Sequence, residues 1–483
     1  MNDMSTCMSH ENLYLRSNKK HQINGTSDFA WLQSSKTLRQ AVLLLSQNRG
    51  LSRQCATSDA TTLVTSAKHA ISITEVGGVG DGQTDNTDAF HEAVKVIHKA
   101  GYGQIRVPPG TFLTGPFNLS SNMELYLEAG STIAGLSDIS KYALVAPLPS
   151  YGQGRDFPSA VTGRNGTGLR YQSLISAWHV SNVTITGQNG TIDGRGAVWW
   201  AAQRLGTINS TRGHLVEFAY CTDVQISHTT LQNSPFWTVH PFMCTNVVAR
   251  QITILNPTNH SYAPNTDGID PDSCENVLIE DSYFRTGDDA IAIKSGWDCY
   301  GYNVAAPSAN IVIRNVTVHA PCCGGLVIGS EMSGGVRNVT LLDSTFVDTQ
   351  KAIWLKGNPG RGGFIAHVNI HNIRVTGGKW AVMANTYYGE LNPACHRSQP
   401  TSAMPFIHNV HINGLVAFNV ETAGQFKGLA DAPIFNVTLT NVTVDSKFSW
   451  DCSNVGGRAS SHVKPTPCSN LDTYHSVLSV DKE

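Results

Sequence analysis

Three aspartates between Asn265 and Gly296 are the residues whose type and spacing best suit acid–base chemistry. Asp267 follows Asn265-Thr266, and the pair Asp288-Asp289 comes 21 residues later. Carboxylates held close together repel one another, so at least one of them keeps its proton to a higher pH. Glycoside hydrolysis needs a protonated acid for the leaving oxygen and a carboxylate that activates water. Asp267, Asp288 and Asp289 are therefore predicted to be catalytic.

Two alternatives to catalysis stay open for these aspartates. The tripeptide Asn-Thr-Asp also occurs at residues 86–88, where it is typical of a helix cap, and Asx turns would account for it as well. Calcium binding is the second alternative, because clustered aspartates suit that ion. The paired Asp288-Asp289 beside an apolar strand favours catalysis. No convincing ligand set exists beyond these aspartates, so neither a metal nor a cofactor is predicted, and chelation should not abolish activity.

Short strand-like segments of the form Asn/Asp-Val-x-Ile recur along the chain. They start at Asn182, Asp223, Asn246, Asn276, Asn310, Asn338, His367, Asn409 and Asn436. From Asp223 to His367 the starts are about 23 to 34 residues apart, a period typical of solenoids. Such a unit cannot bury its own apolar face, so neighbouring units must stack. The pattern predicts an all-β parallel β-helix whose stacked coils, about 4.8 Å apart, place Asp267 and the Asp288-Asp289 pair on neighbouring rungs.

One helix is predicted before the repeats. Asn86 or Thr87 can cap it, its apolar residues follow helical spacing, and Gly101 and Gly103 end it. This helix would cover the open N-terminal end of the β-helix, where strand edges and core side chains would otherwise be exposed. The predicted organisation is an extension over residues 1–68, either disordered or a targeting segment, a catalytic β-helix over 69–450, and a tail over 451–483.

Composition limits the classes of function. The chain has 483 residues, of which 41% are hydrophobic and 14% charged, and a net charge of −2. This balance fits a sheet-rich globular protein and gives no indication of nucleic-acid binding. No run of about 18 apolar residues exists, so no membrane span is predicted. The chain is expected to be a monomer.

Cysteines and glycosylation motifs indicate an extracellular protein. Eleven cysteines are scattered rather than arranged as zinc-ligand pairs, which favours a secreted, disulfide-bearing chain. Asn-x-Ser/Thr motifs begin at Asn24, Asn118, Asn165, Asn182, Asn189, Asn209, Asn259, Asn315, Asn338, Asn436 and Asn441. They predict N-glycosylation, although an abundance of Asn and Thr in this fold would account for any single motif equally well. Residues 1–30 contain no apolar segment of the length that a signal peptide needs.

From about Ile71 to Asp445 the chain resembles the polygalacturonase family of glycoside hydrolases. The resemblance is carried by NSPFWTVHP (residues 233–241), NTDGID (265–270), TGDDAIAIKSG (286–296), GGLVIGSEMSGGV (324–336) and KGNPGRGG (356–363). It implies a right-handed parallel β-helix and inverting hydrolysis of α-1,4-linked galacturonate in pectin. Asp288 would be the general acid, with Asp267 and Asp289 holding and activating the water. The GSEMSGG segment looks more like the exo-acting plant and bacterial branch, so exo action is slightly favoured over endo action.

Two departures from the family pattern concern the substrate groove. Cys322-Cys323 stand before Gly324-Gly325, where the family usually has a histidine. Trp354 stands two residues before Lys356, where the family usually has an arginine. Lysine is a poor substitute for a bidentate arginine clamp on a carboxylate, so this subsite would favour a neutral, substituted or different sugar. The residues expected to bind substrate are Asn265, His240, Lys294, Trp354, Lys356 and Arg361.

Groove lining and core packing account equally well for His240. Two rival functions also stay open. A β-helix polysaccharide lyase would need calcium and a basic residue that abstracts a proton, and its unsaturated product would absorb in the ultraviolet. The second rival is a catalytically weak carbohydrate-binding relative, which the missing histidine and arginine suggest.

Overall fold

A computed structural model describes residues 69–152, 169–208, 210–389 and 403–471. The expected N-terminal extension over residues 1–68 lies outside this range. Ser66–Glu483 form one compact unit, which contains all of the described residues. Nearly all of its regular structure consists of short parallel strands, three to a coil.

Each coil contributes one strand to each of three stacked parallel sheets, named here A, B and C. Sheet A carries the Asn-Val repeats, and its strands are Ala70–Ser72, Gly103–Val107, Met123–Leu127, Ser181–Gly187, Thr222–Ser227, Thr245–Arg250, Glu275–Glu280 and Ser308–Arg314, followed by the first parts of the long strands Val336–Val347, Phe364–Thr376, Phe406–Lys427 and Ile434–Ser453, and by Val455–Ala459.

Sheet B continues each coil after a corner. Its strands are Asp81–Asp85, Gly110–Thr114, Ser131–Gly135, Gly190–Asp193, Thr229–Gln232, Thr253–Leu255, Tyr283–Arg285 and Thr317–His319, followed by the middle parts of the long strands.

Sheet C completes the coil and carries the aspartate segments on its rungs. Its strands are Phe117–Leu119, Ile175–Trp178, Val216–Ala219, Val239–Phe242, Ile291–Ile293, Gly324–Ile328, Lys351–Lys356 and Trp380–Asn385, and the last parts of the two longest strands. Ile269 bridges Val239 and Ile291 between two of these rungs. The predicted parallel β-helix is confirmed.

The repeated asparagines form a ladder at the corner that precedes sheet A. Asn276, Asn310 and Asn338 adopt positive φ angles of 60°, 57° and 55°, a left-handed conformation that asparagine tolerates better than most residues. Their side-chain amides donate to Asn246, Asn276 and Asn310 respectively, each in the preceding coil, at 3.1, 3.1 and 2.7 Å. The Asn-Val repeat therefore marks a turn and a coil-to-coil hydrogen bond.

The same ladders bear on the predicted glycosylation. Five asparagines of the Asn-x-Ser/Thr motifs donate their side-chain nitrogen, the atom to which a glycan would be attached, to a neighbouring coil: Asn182, Asn315, Asn338, Asn436 and Asn441. For these five, the requirements of the fold account for the motif without glycosylation.

Helix α1, Thr87–Ala100, occupies the N-terminal end of the stack as predicted. It buries Ala89, Phe90, Ala93 and Ile97, and Phe90 stacks on Phe117 of sheet C with ring centroids 4.6 Å apart. Asn86 is the N-cap, but its side chain bonds the backbone of Val79, Thr84 and Leu113 rather than the helix. Gly101 ends the helix in the left-handed conformation.

Two further helices of the described ranges lie in loops. Helix α2 (Ala197–Arg204) lies between a strand of sheet B and a strand of sheet C, and α3 (Asp298–Val304) lies between a strand of sheet C and the next strand of sheet A. The remaining elements are short 3-10 turns at Ile73–Val76, Ile139–Lys141, Pro149–Tyr151 and Ser469–Leu471, and the antiparallel pair Leu144–Val145 and Arg170–Tyr171. No helix within the described ranges is long and apolar enough to cross a membrane. The boundary expected at residue 450 falls inside the strand Ile434–Ser453, and a disulfide joins Cys452 to Cys468.

Candidate active site

The three aspartates lie on adjacent rungs, where the chain enters sheet C. The Thr238 amide donates to the Asp267 carbonyl at 2.9 Å, and the Gly268 amide donates to the Asp289 carbonyl at 3.0 Å. The next rung stacks on this one in the same way, because the Ala290 amide donates to the Gly324 carbonyl at 2.8 Å. Stacking of successive coils therefore brings together residues that are 21 positions apart in sequence, as the repeat period predicts.

Asp289 is fixed by a cation and by the backbone. The Lys356 ammonium lies 2.6 Å from its Oδ2, and the Gly324 amide donates to its Oδ1 at 2.7 Å. Lys356 comes from sheet C two rungs further along, and both side chains are about 5% exposed. These two contacts fix the orientation of the Asp289 side chain.

Asp267 holds its proton more strongly than an ordinary aspartate. Its pKa is raised well above the usual value, first by burial and then by the charges of Asp270 and Asp288. Lys294 opposes this effect from 3.9 Å away. The Oδ1 atom of Asp267 is buried and has no hydrogen-bond partner among the described residues.

Asp288 is held in the opposite ionisation state by His260. Burial by itself would raise the pKa of Asp288, but the hydrogen bond and charge of His260, with the charge of Lys356, lower that pKa to about 2. The His260 Nδ1 atom lies 3.1 Å from Asp288 Oδ2. The same contact raises the pKa of His260 to about 9. The backbone amides of Asn265 and Asp289 also donate to this carboxylate.

His260 was missed by sequence reasoning, which looked for a histidine beside Gly324. It stands seven residues before Asp267, in the loop that leads into the same rung. The short distance along the sequence between His260 and Asp267 was the signal that could have identified this histidine. The imidazole therefore reaches Asp288 from the coil that precedes the Asp288 coil. Cys322 and Cys323 occupy the position next to Gly324.

Arg212 is a second residue that the sequence did not single out. Its guanidinium is 2% exposed and donates to Asn265 Oδ1 at 2.8 Å and to the carbonyls of Pro235 and Pro264. Asn265 has a φ of 57° and its amide donates to Asp288 at 3.1 Å. Arg212 thus fixes the loop that positions Asn265 and, through it, Asp288.

Lys294 lies beneath the aspartates. Its ammonium is 3.0 Å from Glu331 Oε2 and 4.3 Å from the centre of the Trp237 ring. Asp270 lies nearby, fully buried and without a hydrogen-bond partner on either oxygen among the described residues. Burial raises the pKa of Asp270 to about 8, although the positive charge of Lys294 acts to lower that pKa. Lys294 therefore offsets acidic charge in this part of the groove.

His240 and Arg361, both expected to bind substrate, are buried against acidic residues. His240 is fully buried, with Nε2 at 3.3 Å from Asp272 and Nδ1 at 3.8 Å from Glu217. Arg361 is 1% exposed, and its Nε lies 3.3 Å from Asp298. These contacts are those of packed residues, which for His240 agrees with the core-packing alternative.

Trp354, which replaces the expected arginine, lies between two lysines. Both Lys351 and Lys356 place their ammonium groups 4.1 Å from the centre of its ring. Tyr388 meets the indole edge-on, with ring centroids 4.8 Å apart, and the indole is 6% exposed. Lys351 therefore adds a second ammonium group beside that of Lys356, where the missing arginine predicted a loss of positive charge.

Three groups of side chains within the described ranges could hold a metal ion by their geometry. They are Asp288 with Asp289 and Cys323, His214 with Glu217 and His240, and His260 with Cys322 and Cys323. The second group is fully buried, and Arg170 lies 2.7 Å from its carboxylate, a cation that disfavours a metal ion there.

Comparisons with known proteins agree with the resemblance seen in the sequence. The profile of the family described as "Glycosyl hydrolases family 28" matches residues 99–463. A "Probable polygalacturonase" from Vitis vinifera is 40% identical over 453 residues, which cover 92% of this chain and 89% of that protein. An "Endo-polygalacturonase" from Pectobacterium carotovorum subsp. carotovorum is 27% identical over 77% of this chain and 88% of that protein.

Solved structures show the same similarity. The exopolygalacturonase of Thermotoga maritima superposes with a TM-score of 0.66 and 28% identity, covering 81% of this chain and 90% of that one. The polygalacturonase of Erwinia carotovora ssp. carotovora gives a TM-score of 0.63 with 25% identity, covering 79% and 95%. Both the sequence profile over three quarters of the chain and these structures lead to one assignment: the chain belongs to glycosyl hydrolases family 28 and is a glycoside hydrolase.

Proposed function

We propose that this enzyme hydrolyses α-1,4-galacturonosyl linkages in pectic chains with inversion of configuration. The observation that carries the proposal is the set of three aspartates on adjacent rungs, with the ammonium groups of Lys294 and Lys356 3.9 and 2.6 Å from Asp267 and Asp289. Carboxylates supply the acid and the base, and the lysines supply cations that a uronate can approach. The polygalacturonase names of the similar proteins support this substrate class.

Asp288 is proposed as the general acid, and Asp267 and Asp289 as the residues that hold and activate water. In the unliganded protein Asp288 is ionised and the proton lies on His260, 3.1 Å away. The His260–Asp288 pair thus holds one proton between two groups. When a glycosidic oxygen approaches Asp288, that proton moves from His260 Nδ1 to Asp288 and then to the leaving oxygen.

The water would be placed by the other two aspartates. Lys356 and the Gly324 amide fix the Asp289 side chain, and Asp267 has an oxygen, Oδ1, without a hydrogen-bond partner among the described residues. A sugar carboxylate that binds near Lys294 and Lys356 would add negative charge beside the three aspartates. Protons would then be redistributed among these side chains. This arrangement needs no metal ion or cofactor.

The lysines around Trp354 support a charged sugar in this subsite. Lys351 is half-buried, and its ammonium lies on the indole, as does that of Lys356. A galacturonate carboxylate approaching Trp354 would meet both cations. We therefore propose that unsubstituted galacturonan is accepted there, in place of the preference for a neutral sugar that the loss of arginine suggested.

The setting and mode of action are also proposals. The disulfide between Cys452 and Cys468 supports a secreted protein that acts on the cell wall as a monomer. Exo action is slightly favoured by the GSEMSGG segment, residues 329–335. The names of the similar proteins include both exo- and endo-acting enzymes.

Hydrolysis of de-esterified polygalacturonan by the purified protein tests the proposal. Reducing ends should appear without an unsaturated product that absorbs in the ultraviolet, and proton NMR of the first products should show the β-anomer. Monomer as the only early product would establish exo action, and a ladder of oligomers would establish endo action. An ultraviolet-absorbing product that requires calcium would replace hydrolysis with a lyase reaction, and absence of turnover would leave a binding protein.

A further inference from the structure

Two neighbouring cysteines and a histidine meet beside the proposed acid, and no step of hydrolysis uses the thiols. Cys322 and Cys323 are free and partly exposed, and their Sγ atoms lie 2.9 Å apart. The Cys323 Sγ atom lies 4.0 Å from His260 Nδ1. The three donor atoms all lie within 4.8 Å of one another. We name Cys322, Cys323 and His260 the thiol–imidazole cluster.

The other free thiols of the described ranges are unlike this pair. Cys221, Cys244 and Cys274 are buried, and they stack on successive coils inside the β-helix. Each donates to backbone carbonyls of the same or the preceding rung. Packing and satisfied hydrogen bonds account for those three cysteines. In the cluster, Cys322 also donates to a backbone carbonyl, that of Gly287 at 3.1 Å, but both of its cysteines are partly exposed to solvent.

The donor set of the cluster matches a thiophilic divalent cation. Zinc prefers thiolate and imidazole ligands in a tetrahedron, with Zn–S distances of about 2.3 Å and Zn–N distances of about 2.0–2.1 Å. Those lengths place a sulfur and a nitrogen ligand about 3.5 Å apart and two sulfur ligands about 3.8 Å apart. The observed 4.0 Å between Cys323 and His260 is close to this. For both sulfurs to bind one zinc ion, the distance between them must increase from 2.9 Å, which requires rotation of the cysteine side chains.

A fourth ligand stands next to the cluster. The Asp288 Oδ2 atom is 3.1 Å from His260 Nδ1, and oxygens of Asp288 and Asp289 come within 4.8 Å of the Cys323 sulfur. A metal ion held by the two thiolates and the imidazole would therefore meet the carboxylate of the proposed general acid. Its charge would keep Asp288 ionised, and its bond to Nδ1 would take the position of the proton shared with His260.

We propose that Cys322, Cys323 and His260 form an inhibitory site for a thiophilic divalent cation, with Asp288 as the fourth ligand. The site switches hydrolysis off by occupying the acid, and it is separate from any metal requirement of catalysis. Binding of the ion depends only on the geometry of the cluster. The inhibition, in contrast, rests on the proposed function.

Metal binding is tested on the full chain in its reduced form, with Zn²⁺ in calorimetry and Co²⁺ in absorption spectroscopy. One equivalent of Co²⁺ should give the charge-transfer absorption of thiolate ligands, and Zn²⁺ should displace it. In the double variant Cys322→Ser/Cys323→Ser that absorption should be lost and Zn²⁺ should bind at least about 100-fold more weakly. Circular dichroism shows whether the variant is folded.

The activity arm compares each protein with its own metal-free rate. Zn²⁺ should inhibit the reduced wild-type enzyme at the concentration at which it binds, while Mg²⁺, a hard cation with no preference for sulfur, should not. The double-serine variant should keep its metal-free rate when Zn²⁺ is added. Oxidation of the two thiols to a disulfide should abolish binding in the same way as the substitutions.

The proposal is overturned if the reduced protein gives no thiolate absorption with Co²⁺, or if the double-serine variant binds Zn²⁺ as tightly as the wild type. Binding without inhibition would overturn the inhibitory role of the site and remove Asp288 as its fourth ligand. A protein that binds Zn²⁺ but hydrolyses no pectic chain would refute the proposed function and leave the metal site intact.

Discussion

At the residue scale, the proposed chemistry depends on three neighbouring aspartates that differ in their surroundings. Burial and neighbouring carboxylates raise the pKa of Asp267, His260 lowers that of Asp288 to about 2, and Lys356 contacts Asp289 at 2.6 Å. Different neighbours thus give chemically identical side chains different proton affinities. Asp288, the proposed acid, is ionised in the unliganded protein, and His260 holds the proton that it would donate.

The aspartates and their neighbours Lys294 and Lys356 were predictable from sequence, whereas other residues beside them were not. The 21-residue spacing and the paired Asp288-Asp289 identify the cluster, because coil stacking converts that spacing into proximity. His260, Arg212 and Lys351 reach the site from loops and strand ends whose positions no periodicity gives. The position of a loop residue depends on the local conformation of the backbone, which only the structure shows.

Asp288→Asn should lower kcat by about 10²- to 10⁴-fold, the usual contribution of a general acid, because the change removes the proton donor with almost no change in volume. Initial rates on polygalacturonan measure the effect. Asp431→Asn, at an exposed position on the C-terminal coils, is the matched control and should retain the wild-type rate. Near-normal turnover by a folded Asp288→Asn enzyme would remove Asp288 from the role of acid.

His260→Asn should move the alkaline limb of the kcat/KM profile to lower pH, in assays that contain a chelator. With His260 present, the His260–Asp288 pair keeps its shared proton up to the raised pKa of His260, about 9. Without the imidazole, the proton is on Asp288 alone and is lost as pH rises through the ordinary carboxyl range. Activity at acid pH should persist. A limb that stays in place, or moves to higher pH, would show that His260 does not hold the proton.

At the element scale, each short strand is stable only as part of a stack, and the ends of the stack need covers. Helix α1 provides the N-terminal cover: it buries Phe90 against Phe117 and packs on the first strands of sheets A and C. The amphipathic spacing and the closing glycine predicted this helix. The role of Asn86 was not predictable, because its side chain bonds backbone atoms of Val79, Thr84 and Leu113, the last of them 27 residues away in the sequence.

Phe90→Ala should destabilise the protein by about 3–5 kcal/mol, the usual cost of removing a buried phenylalanine ring. The reason is that the substitution leaves a cavity between α1 and the first coil. Urea unfolding followed by circular dichroism gives the free energy of unfolding. Val96→Ala on the same helix, where the side chain is 38% exposed, should cost far less. Equal costs for the two substitutions would mean that α1 does not cover the core.

At the scale of the whole molecule, one continuous apolar core extends through the β-helix from Ile73 to Leu471. Each coil adds inward-facing residues that stack on those of its neighbours, and the asparagine ladder repeats at the corner of successive coils. The fold class could be predicted from the sequence because this repetition is visible in it. The bounds of the last coils could not be, since after Val336 single long strands continue through the corners, where isolated left-handed residues such as Asp343 and Asn372 are the turn signals.

Ile311→Ala, in the middle of the stack, tests whether this core unfolds as one unit. Ile311 is fully buried between Val277 and Val339 of the adjacent coils, so its truncation should cost about 2–5 kcal/mol. Because neighbouring coils support each other through direct stacking, the whole β-helix should unfold at lower urea in one transition. Circular dichroism and tryptophan fluorescence should then report the same midpoint. Val312→Ala, the next residue on the outer face, is the control, with an expected cost below about 1 kcal/mol. Separate transitions for the two signals would show that the coils on either side of Ile311 unfold independently.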